Sequence, residues 1–434
     1  MSCHSASSPE IPQQRLAREI EILNTISNFV PSLRRVDVPM PSIAIQFARF
    51  GPYHLARINS AFEALSEIHW SVIGLETAGC DTTYEWKQEI DGHTWKRHTV
   101  FPNDKWELIP KSKVEREICS TLNALKPDAV AISGWGSSDA RACLNWCAKN
   151  GSIAIAMSET REGDGTRSWL KERLKSHIIQ KFDGGLVGSR SHRDYLSKLG
   201  IPSEKIRLGY NVVDNNYFRT ESSNWRKADR DIEIRPYFLA SNRFIERKNL
   251  DRLISAFAKL PKDTGWDLCL LGDGELRNSL VNHCGDLDLG IEHCASWESH
   301  RSDKIPNHPT VYFPGFRQIE ELPRFYAHAG CFIHPALEEP WGLVINEAMA
   351  CGLPILSSSN VGAAEELVDE GVNGWKFEPG SLDSITSSME QIAALKVEER
   401  HAMGSEGSRI LEDRCPTRAF GEGLAKCLEV AGAL

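Results

Sequence analysis

The sequence predicts an α/β protein built from two doubly wound domains, and three observations support this fold class. Short apolar runs rich in β-branched residues alternate with longer amphipathic segments, which is typical of parallel sheets covered by helices. These runs form two series, separated by a polar strip from about residue 206 to 235. The length of 434 residues suits two or three domains with proper cores.

Ten apolar runs are predicted to be strands. The first series lies at 43–48, 71–76, 129–134, 153–158 and 184–189, and the second at 237–241, 267–272, 310–315, 331–336 and 353–358. Two such sheets joined by a linker form a cleft at the carboxyl ends of their strands, where ligands of doubly wound sheets bind.

The domain boundaries follow from this pattern. Residues 1–40 are polar with one helical stretch, and we expect an extension packed with the first domain. The further divisions are a first domain at 41–210, a linker at 211–235, a second domain at 236–415 and a C-terminal helical segment at 416–434.

Bulk composition excludes several classes of function. A net charge of −9 gives no global reason to bind nucleic acid. No run of 18 apolar residues and no apolar signal segment occur, so we expect a cytoplasmic protein. The twelve cysteines include no CxxC pair, and Cys143 and Cys147 lack nearby histidines, which favours free thiols in a reducing compartment.

The most informative segment reads EPWGLVINEAMACGLPILSS from Glu339 to Ser358. The preceding CFIHPAL predicts a buried strand, followed by a loop with Glu339 and a helix that opens near Trp341 and carries Glu347. A helix start exposes unpaired N–H groups and a partial positive charge, which suits a phosphate. Because carboxylates accept hydrogen bonds from hydroxyls, the segment predicts a site for a sugar attached to a phosphate.

This segment resembles the Glu-x7-Glu signature of the retaining glycosyltransferases of family 4, which have the two-domain GT-B fold. The string SNRFIERKNLDRLISAF at 241–257 extends the resemblance, because Arg243 and Lys248 match the family's R-x4-K pair. The resemblance implies front-face transfer of a hexosyl-type sugar, with retention, from a nucleotide-diphosphate sugar to an acceptor hydroxyl. It also implies that segment 416–434 crosses back onto the first domain.

The resemblance also implies the residues of the donor site. Arg243 and Lys248 would act on the donor diphosphate, and Glu339 would contact the transferred sugar. The further donor-binding candidates are Glu347 for the ribose hydroxyls, the backbone amides of Trp341, Gly342 and Leu343 for sugar and phosphate, Phe316 near the base, and Gly51 in a loop facing the diphosphate. Gly51 precedes proline where the family commonly has a second glycine, so this loop departs from the pattern.

We expect no metal ion and no bound cofactor besides the donor substrate. A departing nucleotide diphosphate carries a charge of about −3, and one arginine, one lysine and a helix start together supply about +2.5. The pair Asp286 and Asp288 lies in a polar stretch outside any phosphate-loop pattern and is interpreted as surface.

The acceptor side is less defined by the sequence. His54, Trp135, Ser158 and Glu159 are the candidates to line an acceptor pocket. The family's histidine-containing string has no counterpart at 133–139 or 157–164, which predicts a different acceptor chemistry. The acceptor is expected to be a sugar, a lipid-linked sugar or a small molecule, and segment 182–218 resembles enzymes of bacterial saccharide or glycoconjugate biosynthesis.

Segment 167–182 combines an apolar stripe with basic residues. Leu170, Leu174, Ile178 and Phe182 lie four apart, and five basic residues accompany one acid, Glu172. One interpretation is a core helix with a basic outer face. The other is a dock for an anionic acceptor or for the anionic inner face of a membrane, which would make the protein peripheral there.

The sequence also allows comparison with other classes of function. GDGELR at 272–277 and GWGSSD at 134–139 lack the third glycine of a dinucleotide fingerprint, which argues against an oxidoreductase. The remaining alternatives are a sugar-nucleotide epimerase or hydrolase of related architecture, a pyridoxal-dependent phosphorylase and a non-catalytic nucleotide-sugar-binding protein.

Overall fold

The computed structural model describes residues 40–82, 86–87, 94–165, 168–232, 234–293 and 308–434. The extension expected over residues 1–40 lies outside this range except for Met40. The described residues form two lobes, each built on a parallel sheet of seven strands. The predicted α/β class with two doubly wound sheets is confirmed.

The strands of the first lobe's sheet lie in the order β3-β2-β1-β4-β5-β6-β7. Its strands are β1 (Ser42–Phe47), β2 (Ser71–Cys80), β3 (Lys96–Lys105), β4 (Ala129–Ser133), β5 (Ile153–Ser158), β6 (Gly184–Val187) and β7 (Ile206–Leu208). Its helices are α1 (Pro52–Glu67), α2 (Lys111–Leu125), α3 (Ser138–Asn150), α4 (Trp169–Ile179) and α5 (Arg190–Leu199).

The second lobe begins with helix α6 (Asn215–Ala228). The strands of its sheet lie in the order β10-β11-β9-β8-β12-β13-β14. Its strands are β8 (Tyr237–Ser241), β9 (Asp267–Leu271), β10 (Gly290–Glu292), β11 (Thr310–Gly315), β12 (Cys331–His334), β13 (Ile355–Ser358) and β14 (Gly374–Phe377). The other helices are α7 (Leu250–Ala258), α8 (Arg277–Asp286), α9 (Leu322–His328), α10 (Leu343–Ala350), α11 (Gly362–Leu367), α12 (Leu382–Ala394), α13 (Val397–Arg414) and α14 (Ala419–Val430).

Each sheet has a switch point where the strand order reverses. In the first lobe it lies between β1 and β4, and in the second lobe between β8 and β12. Ligands of doubly wound sheets bind outside the carboxyl ends of the strands at such points. The loops after these four strands carry Gly51, Trp135, Lys248 and Glu339, so the topology alone places these four residues at the two crevices.

The central strands form because their residues are apolar and β-branched on both faces. Strand β1 buries five consecutive residues, Ile43 to Phe47, since helices cover both sides of a parallel sheet. A continuous hydrophobic core runs from Ile43 in the first lobe through Val212 and Phe218 to Leu239 in the second. This shared core supports the loops that face each other across the cleft.

The strip expected to be an irregular linker is largely regular. Residues 206–208 form β7, and helix α6 occupies residues 215–228 and packs against α9 and α10 of the second lobe. The sequence misled us because α6 is polar overall and buries only Asn215, Phe218 and Ser222. At the other end of the chain, α14 packs against α1 of the first lobe, where the Gly421 amide donates to Ser60 Oγ at 3.0 Å.

Cys143 and Cys147 are buried free thiols, as the sequence predicted.

No helix among the described residues combines the length and the apolar character needed to cross a bilayer.

Candidate functional site

Lys248 and Glu339 form an ion pair at the switch point of the second sheet. Lys248 follows β8 and Glu339 follows β12, and these strands are neighbours. The Lys248 ammonium donates a hydrogen bond to Glu339 Oε2. Only 11% of the lysine side chain and 13% of the glutamate side chain are exposed. Two residues that are 91 positions apart in the sequence therefore meet at one point of the cleft.

Two further contacts hold the loops that carry this ion pair. Asn249 donates through its side-chain amide to the Pro335 carbonyl at 3.1 Å. The Leu337 amide donates to the Arg247 carbonyl at 2.8 Å. The relative position of the two charges is therefore set by hydrogen bonds between the loop backbones and not only by the ion pair itself.

The charges at this point influence one another strongly. Burial lowers the pKa of Lys248, Glu339 opposes that effect, and the nearby Arg247 and Arg243 lower the pKa further. Burial also disfavours the ionised form of Glu339, but His334 and Lys248 outweigh it and hold the pKa of the carboxyl well below its usual range. The His334 Nε2 atom lies 3.9 Å from Glu339 Oε2, which is beyond hydrogen-bond distance. Glu339 is thus ionised at neutral pH and is paired with the Lys248 ammonium.

Gly342 is the N-cap residue that directly precedes helix α10, beside this cluster. Its φ is 98°, and an added Cβ would lie 3.2 Å from Val361 Cγ1 and 3.5 Å from Glu339 Cγ. A side chain at this position would therefore be strained by both backbone and neighbours. The first amides of an α-helix lack intrahelical partners and carry partial positive charge. This helix start adds positive potential next to Glu339.

The two residues that flank Gly342 offer backbone groups in preference to side chains. Trp341 is 2% exposed, and its Nε1 donates to Asn346 Oδ1 at 2.9 Å in the core. Leu343 is the first residue of α10 and is half-buried. The binding of sugar and phosphate by their backbone amides stays a prediction.

Glu347 lies on α10 and is fully buried. Tyr326 of the second lobe donates to its Oε2 at 2.6 Å, and Tyr53 of the first lobe donates to its Oε1 at 2.5 Å. Burial raises the pKa of Glu347 to about 7, while the two tyrosine hydrogen bonds oppose this rise. The carboxylate that we expected to meet ribose is thus bound by a tyrosine from the opposite lobe.

Two side chains of the first lobe bind the loop that carries Glu339. Arg161 donates through Nη2 to the carbonyl oxygen of Glu339 at 2.8 Å and to that of Asn360 at 3.0 Å. The His192 Nε2 atom lies 3.1 Å from the Pro340 carbonyl, to which it donates. Burial lowers the pKa of His192 to about 4, so the ring is neutral at pH 7. Sequence reasoning missed both residues.

Phe316 follows β11 and meets an aromatic side chain of the first lobe. Its ring centroid lies 5.0 Å from that of Trp86, and Trp86 lies 6.4 Å from Tyr53. Both contacts are edge-on, with interplanar angles of 64° and 82°. Phe316 is half-buried, so it is a wall of the cleft and not a core residue.

Gly51 and His54 form the start of helix α1. The Gly51 amide donates to His54 Nδ1 at 3.0 Å, and the ring of His54 packs 4.4 Å from that of Phe47. Burial, followed by the charges of Arg57 and Arg49, lowers the pKa of His54 to about 3. His54 is therefore a neutral group that holds the start of α1. The same first turn carries Tyr53, and Gly51 lines a small cavity together with Gln318 and Ile319 of the second lobe.

The other acceptor-side candidates differ in their surroundings. Trp135 is partly buried and packs against a hydrophobic cluster of the first lobe. Ser158 is buried, and its hydroxyl accepts a hydrogen bond from the Thr160 amide at 3.2 Å. Glu159 is exposed, and the charges of Arg57 and Glu339 both act on it. Of these three candidates, Glu159 is the one whose pKa depends on Glu339: burial raises this pKa, Arg57 opposes the rise and Glu339 adds to it.

Arg57 is a buried cation that the sequence did not single out. It is 3% exposed, lies 4.2 Å from the ring centroid of Tyr210, and donates through Nη2 to Asn211 Oδ1 at 3.3 Å. The signal was present in the sequence as an arginine on the buried face of an amphipathic helix.

The Asp-x-Asp at residues 286–288 lies on the surface, as expected, since the side chain of Asp288 is 96% exposed beside Lys262.

Comparison with known proteins gives a family match on the second lobe and structural matches over most of the chain. Residues 221–409, which cover most of the second lobe, match the family described as Glycosyl transferases group 1. The solved structure of Anabaena HepE in complex with UDP and glucose matches 90% of this chain and 100% of its own, at 17% identity and a TM-score of 0.65. WaaG, a glycosyltransferase involved in lipopolysaccharide biosynthesis, matches 90% of this chain and all of its own, at 14% identity and a TM-score of 0.60.

The fold is GT-B. Within this fold the two lobes face each other across the cleft described above, and the group 1 match falls on the lobe that carries Lys248, Glu339 and Gly342.

Curated relatives match shorter stretches. An uncharacterized glycosyltransferase of Methanocaldococcus jannaschii is 28% identical over 211 residues, which are 48% of this chain and 49% of that protein. The sulfoquinovosyl transferase of Arabidopsis thaliana is 26% identical over 305 residues, 67% of this chain and 54% of that protein. The N-acetyl-alpha-D-glucosaminyl L-malate synthase of Bacillus anthracis is 25% identical over 232 residues, 53% and 55% of the two chains. The chain thus spans about half the length of the curated relatives it matches.

Proposed function

We propose that this protein is a retaining glycosyltransferase of the family 4 type. It transfers a hexosyl-type sugar from a nucleotide-diphosphate sugar to an acceptor hydroxyl. The observation that carries the proposal is the convergence of Lys248, Glu339 and the start of α10 at one switch point of the second sheet. The group 1 match over the same lobe and the UDP bound in the HepE structure support this proposal.

Arg243 and Lys248 act chiefly on the leaving diphosphate. Together with the start of α10 at Gly342 they supply a charge of about +2.5 against about −3 on the departing group. This near balance is the reason for proposing that no divalent metal is required. Charge stabilisation of this kind is the largest contribution to catalysis in many enzymes.

Glu339 positions the transferred sugar, and Glu347 accepts hydrogen bonds from the ribose once Tyr53 has moved away. In the proposed front-face reaction, the acceptor oxygen forms a bond to the anomeric carbon as the bond from that carbon to the phosphate oxygen breaks. The departing phosphate oxygen takes the acceptor proton. The protein contributes position and charge, and no protein nucleophile is needed.

The acceptor binds on the side of the first lobe, near Glu159. Its class stays open among sugars, lipid-linked sugars and small molecules. A place in bacterial saccharide or glycoconjugate biosynthesis is supported by the lipopolysaccharide core biosynthesis glycosyltransferase of Rhizobium meliloti, which is 31% identical over 159 residues. The proposed location is the cytoplasm.

Product analysis tests this proposal. The protein is incubated with labelled UDP-, GDP-, ADP- and TDP-sugars, with chelator present, and with or without a panel of sugar and lipid-linked acceptors. We expect a new glycoside that depends on acceptor and retains the anomeric configuration of the donor. A product that forms equally without acceptor indicates an epimerase or hydrolase, and binding without any turnover indicates a nucleotide-sugar-binding protein.

A further inference from the structure

Helix α4 exposes an unusual amount of apolar surface. Trp169 is 70% exposed, Leu170 is 60% exposed and Leu174 is 64% exposed. Of the helix residues, only Ile179 is fully buried. The interpretation of segment 167–182 as a core helix is therefore wrong for its first two turns, because Leu170 and Leu174 face away from the sheet. Residues 166 and 167 lie outside the described part of the chain.

The charges of α4 are divided between its two faces. Glu172, the one acidic residue of the helix, accepts a hydrogen bond from the Tyr195 hydroxyl at 2.8 Å and pairs with Lys175 at 2.8 Å. These contacts anchor α4 to α5 and direct the acid and one lysine inward. The outward face therefore carries no acidic side chain.

The remaining cations of this segment surround the exposed leucines. Residues 170, 173, 174 and 177 share one face, since neighbours on a helix surface are three or four positions apart. That face carries Arg173 and His177, with Lys171 at its margin and Lys181 just beyond the helix end, and all four are exposed. Within the described residues, Lys171, Arg173 and Lys181 form no ion pair. The exposed surface made by Trp169, Leu170, Lys171, Arg173, Leu174 and His177 is called the α4 surface below.

We infer that the α4 surface docks on an anionic lipid bilayer. An interfacial helix carries basic residues beside tryptophan and leucine side chains, which enter the boundary between headgroups and acyl chains. Each cation near an anionic leaflet strengthens binding about five-fold. The net charge of −9 opposes this attraction over the whole chain, so the locally positive α4 surface defines the orientation of the protein on the membrane.

The position of α4 connects this surface to the cleft. The loop that leads into α4 contains Arg161, which contacts the backbone of Glu339 and Asn360 in the second lobe. Arg161 precedes Trp169 by eight residues, so the α4 surface is linked to the second lobe along the chain. The inference does not depend on the proposed sugar transfer.

Vesicle sedimentation tests the inference with the full chain. We expect the wild-type protein to bind phosphatidylcholine vesicles that contain phosphatidylglycerol and to bind pure phosphatidylcholine vesicles much less. The double variant Lys171→Gln/Arg173→Gln should lose about 30-fold in affinity for the anionic vesicles. The double variant Leu170→Ser/Leu174→Ser should lose at least about ten-fold, because it removes the inserted apolar surface.

Two matched controls lie elsewhere on the first lobe. Leu108→Ser removes a leucine that is 74% exposed, and Lys149→Gln removes an exposed lysine. Both should bind anionic vesicles like the wild type, and circular dichroism checks that every variant is folded. Failure of the wild type to bind, or full binding by Leu170→Ser/Leu174→Ser, overturns the inference. Full binding by Leu170→Ser/Leu174→Ser would show that charge alone attracts the protein to the vesicles. Absence of vesicle binding by the wild type would indicate that the apolar face binds a protein partner.

Discussion

The hydroxyl of Tyr53 in the first lobe donates to the carboxylate of Glu347 in the second lobe at 2.5 Å. Glu347 has no exposed surface, and its other oxygen accepts from Tyr326. One hydrogen bond therefore links the first turn of α1 to α10, the helix whose N-cap is Gly342. It also fills the position that we assign to a ribose hydroxyl.

Tyr53→Phe should bind nucleoside diphosphate more tightly than the wild type. The variant removes the hydroxyl that competes with ribose for Glu347 Oε1 and leaves the ring in place. A hydrogen bond to a charged group contributes about 1.5 kcal/mol or more, so we expect about a ten-fold lower Kd for UDP by titration calorimetry. Tyr217→Phe is the control, since its hydroxyl contacts the Ile319 carbonyl away from Glu347. Weaker binding by Tyr53→Phe would mean that Tyr53 assists the ligand and does not compete with it.

Glu347→Gln should change the pH dependence of stability. The folded-state pKa of Glu347 is raised to about 7 from an ordinary value of 4.5. Its proton therefore stabilises the fold fully below pH 4.5, and this contribution disappears as the pH rises through 7. The free energy of unfolding of the variant minus that of the wild type should therefore be about 2 kcal/mol larger at pH 8 than at pH 5, because only the wild type loses the stabilising proton.

Urea unfolding at the two pH values measures this difference. Glu390→Gln, an exposed position on α12, should show no such change. A difference between variant and wild type that is the same at pH 5 and pH 8 would contradict the raised pKa.

Lys248→Met should lose both stability and nucleotide binding. The variant leaves the Glu339 carboxylate buried without its cation, which costs about 3 kcal/mol of unfolding free energy. The double variant Lys248→Met/Glu339→Gln removes both charges and should regain most of that stability. Both variants should bind UDP about 10- to 100-fold more weakly than the wild type, because the diphosphate loses a charged donor. A double variant that is stable and binds UDP normally would remove Lys248 from the diphosphate site.

Gly342→Ala should weaken nucleotide binding at a modest cost in stability. The backbone φ of 98° and the neighbouring Val361 both disfavour a side chain, at a cost of about 1–3 kcal/mol. Gly371→Ala is a matched control, since its φ is 72° and no atom lies within 4 Å of an added Cβ. Both variants should lower the melting temperature, and only Gly342→Ala should weaken UDP binding. Equal UDP affinity in the two variants would contradict a role for the start of α10.

Local sequence was sufficient to predict the central strands and the loop and helix around Glu339. Strand β12, the loop at Glu339 and helix α10 follow one another within twenty residues, so spacing alone orders them. The strands β3, β7, β10 and β14 were missed. Three of them have only three or four residues, and β3 (KRHTVFPNDK) is a polar edge strand without a strong apolar alternation.

The contacts between the lobes could not be predicted from sequence. Tyr53 meets a residue 294 positions away, Arg161 one 178 positions away and His192 one 148 positions away. Nothing in a tyrosine, arginine or histidine on one lobe identifies its partner on the other before the lobes are placed. Helix α4 shows a related limit, because the four-residue spacing of Leu170 and Leu174 identified a common face but not whether that face is covered.

The central claim is that the second lobe binds a nucleotide-diphosphate sugar at Lys248 and the start of α10. Thermal shift with UDP-, GDP-, ADP- and TDP-sugars, in the presence of chelator, measures this most directly. At about 100 times its wild-type Kd, one of these ligands should stabilise the wild type by about 2.7 kcal/mol, and at the same concentration the stabilisation of Lys248→Met/Glu339→Gln should fall to about 0.4–1.4 kcal/mol. The claim is contradicted if no nucleotide sugar shifts the wild type, or if the double variant shows the full shift.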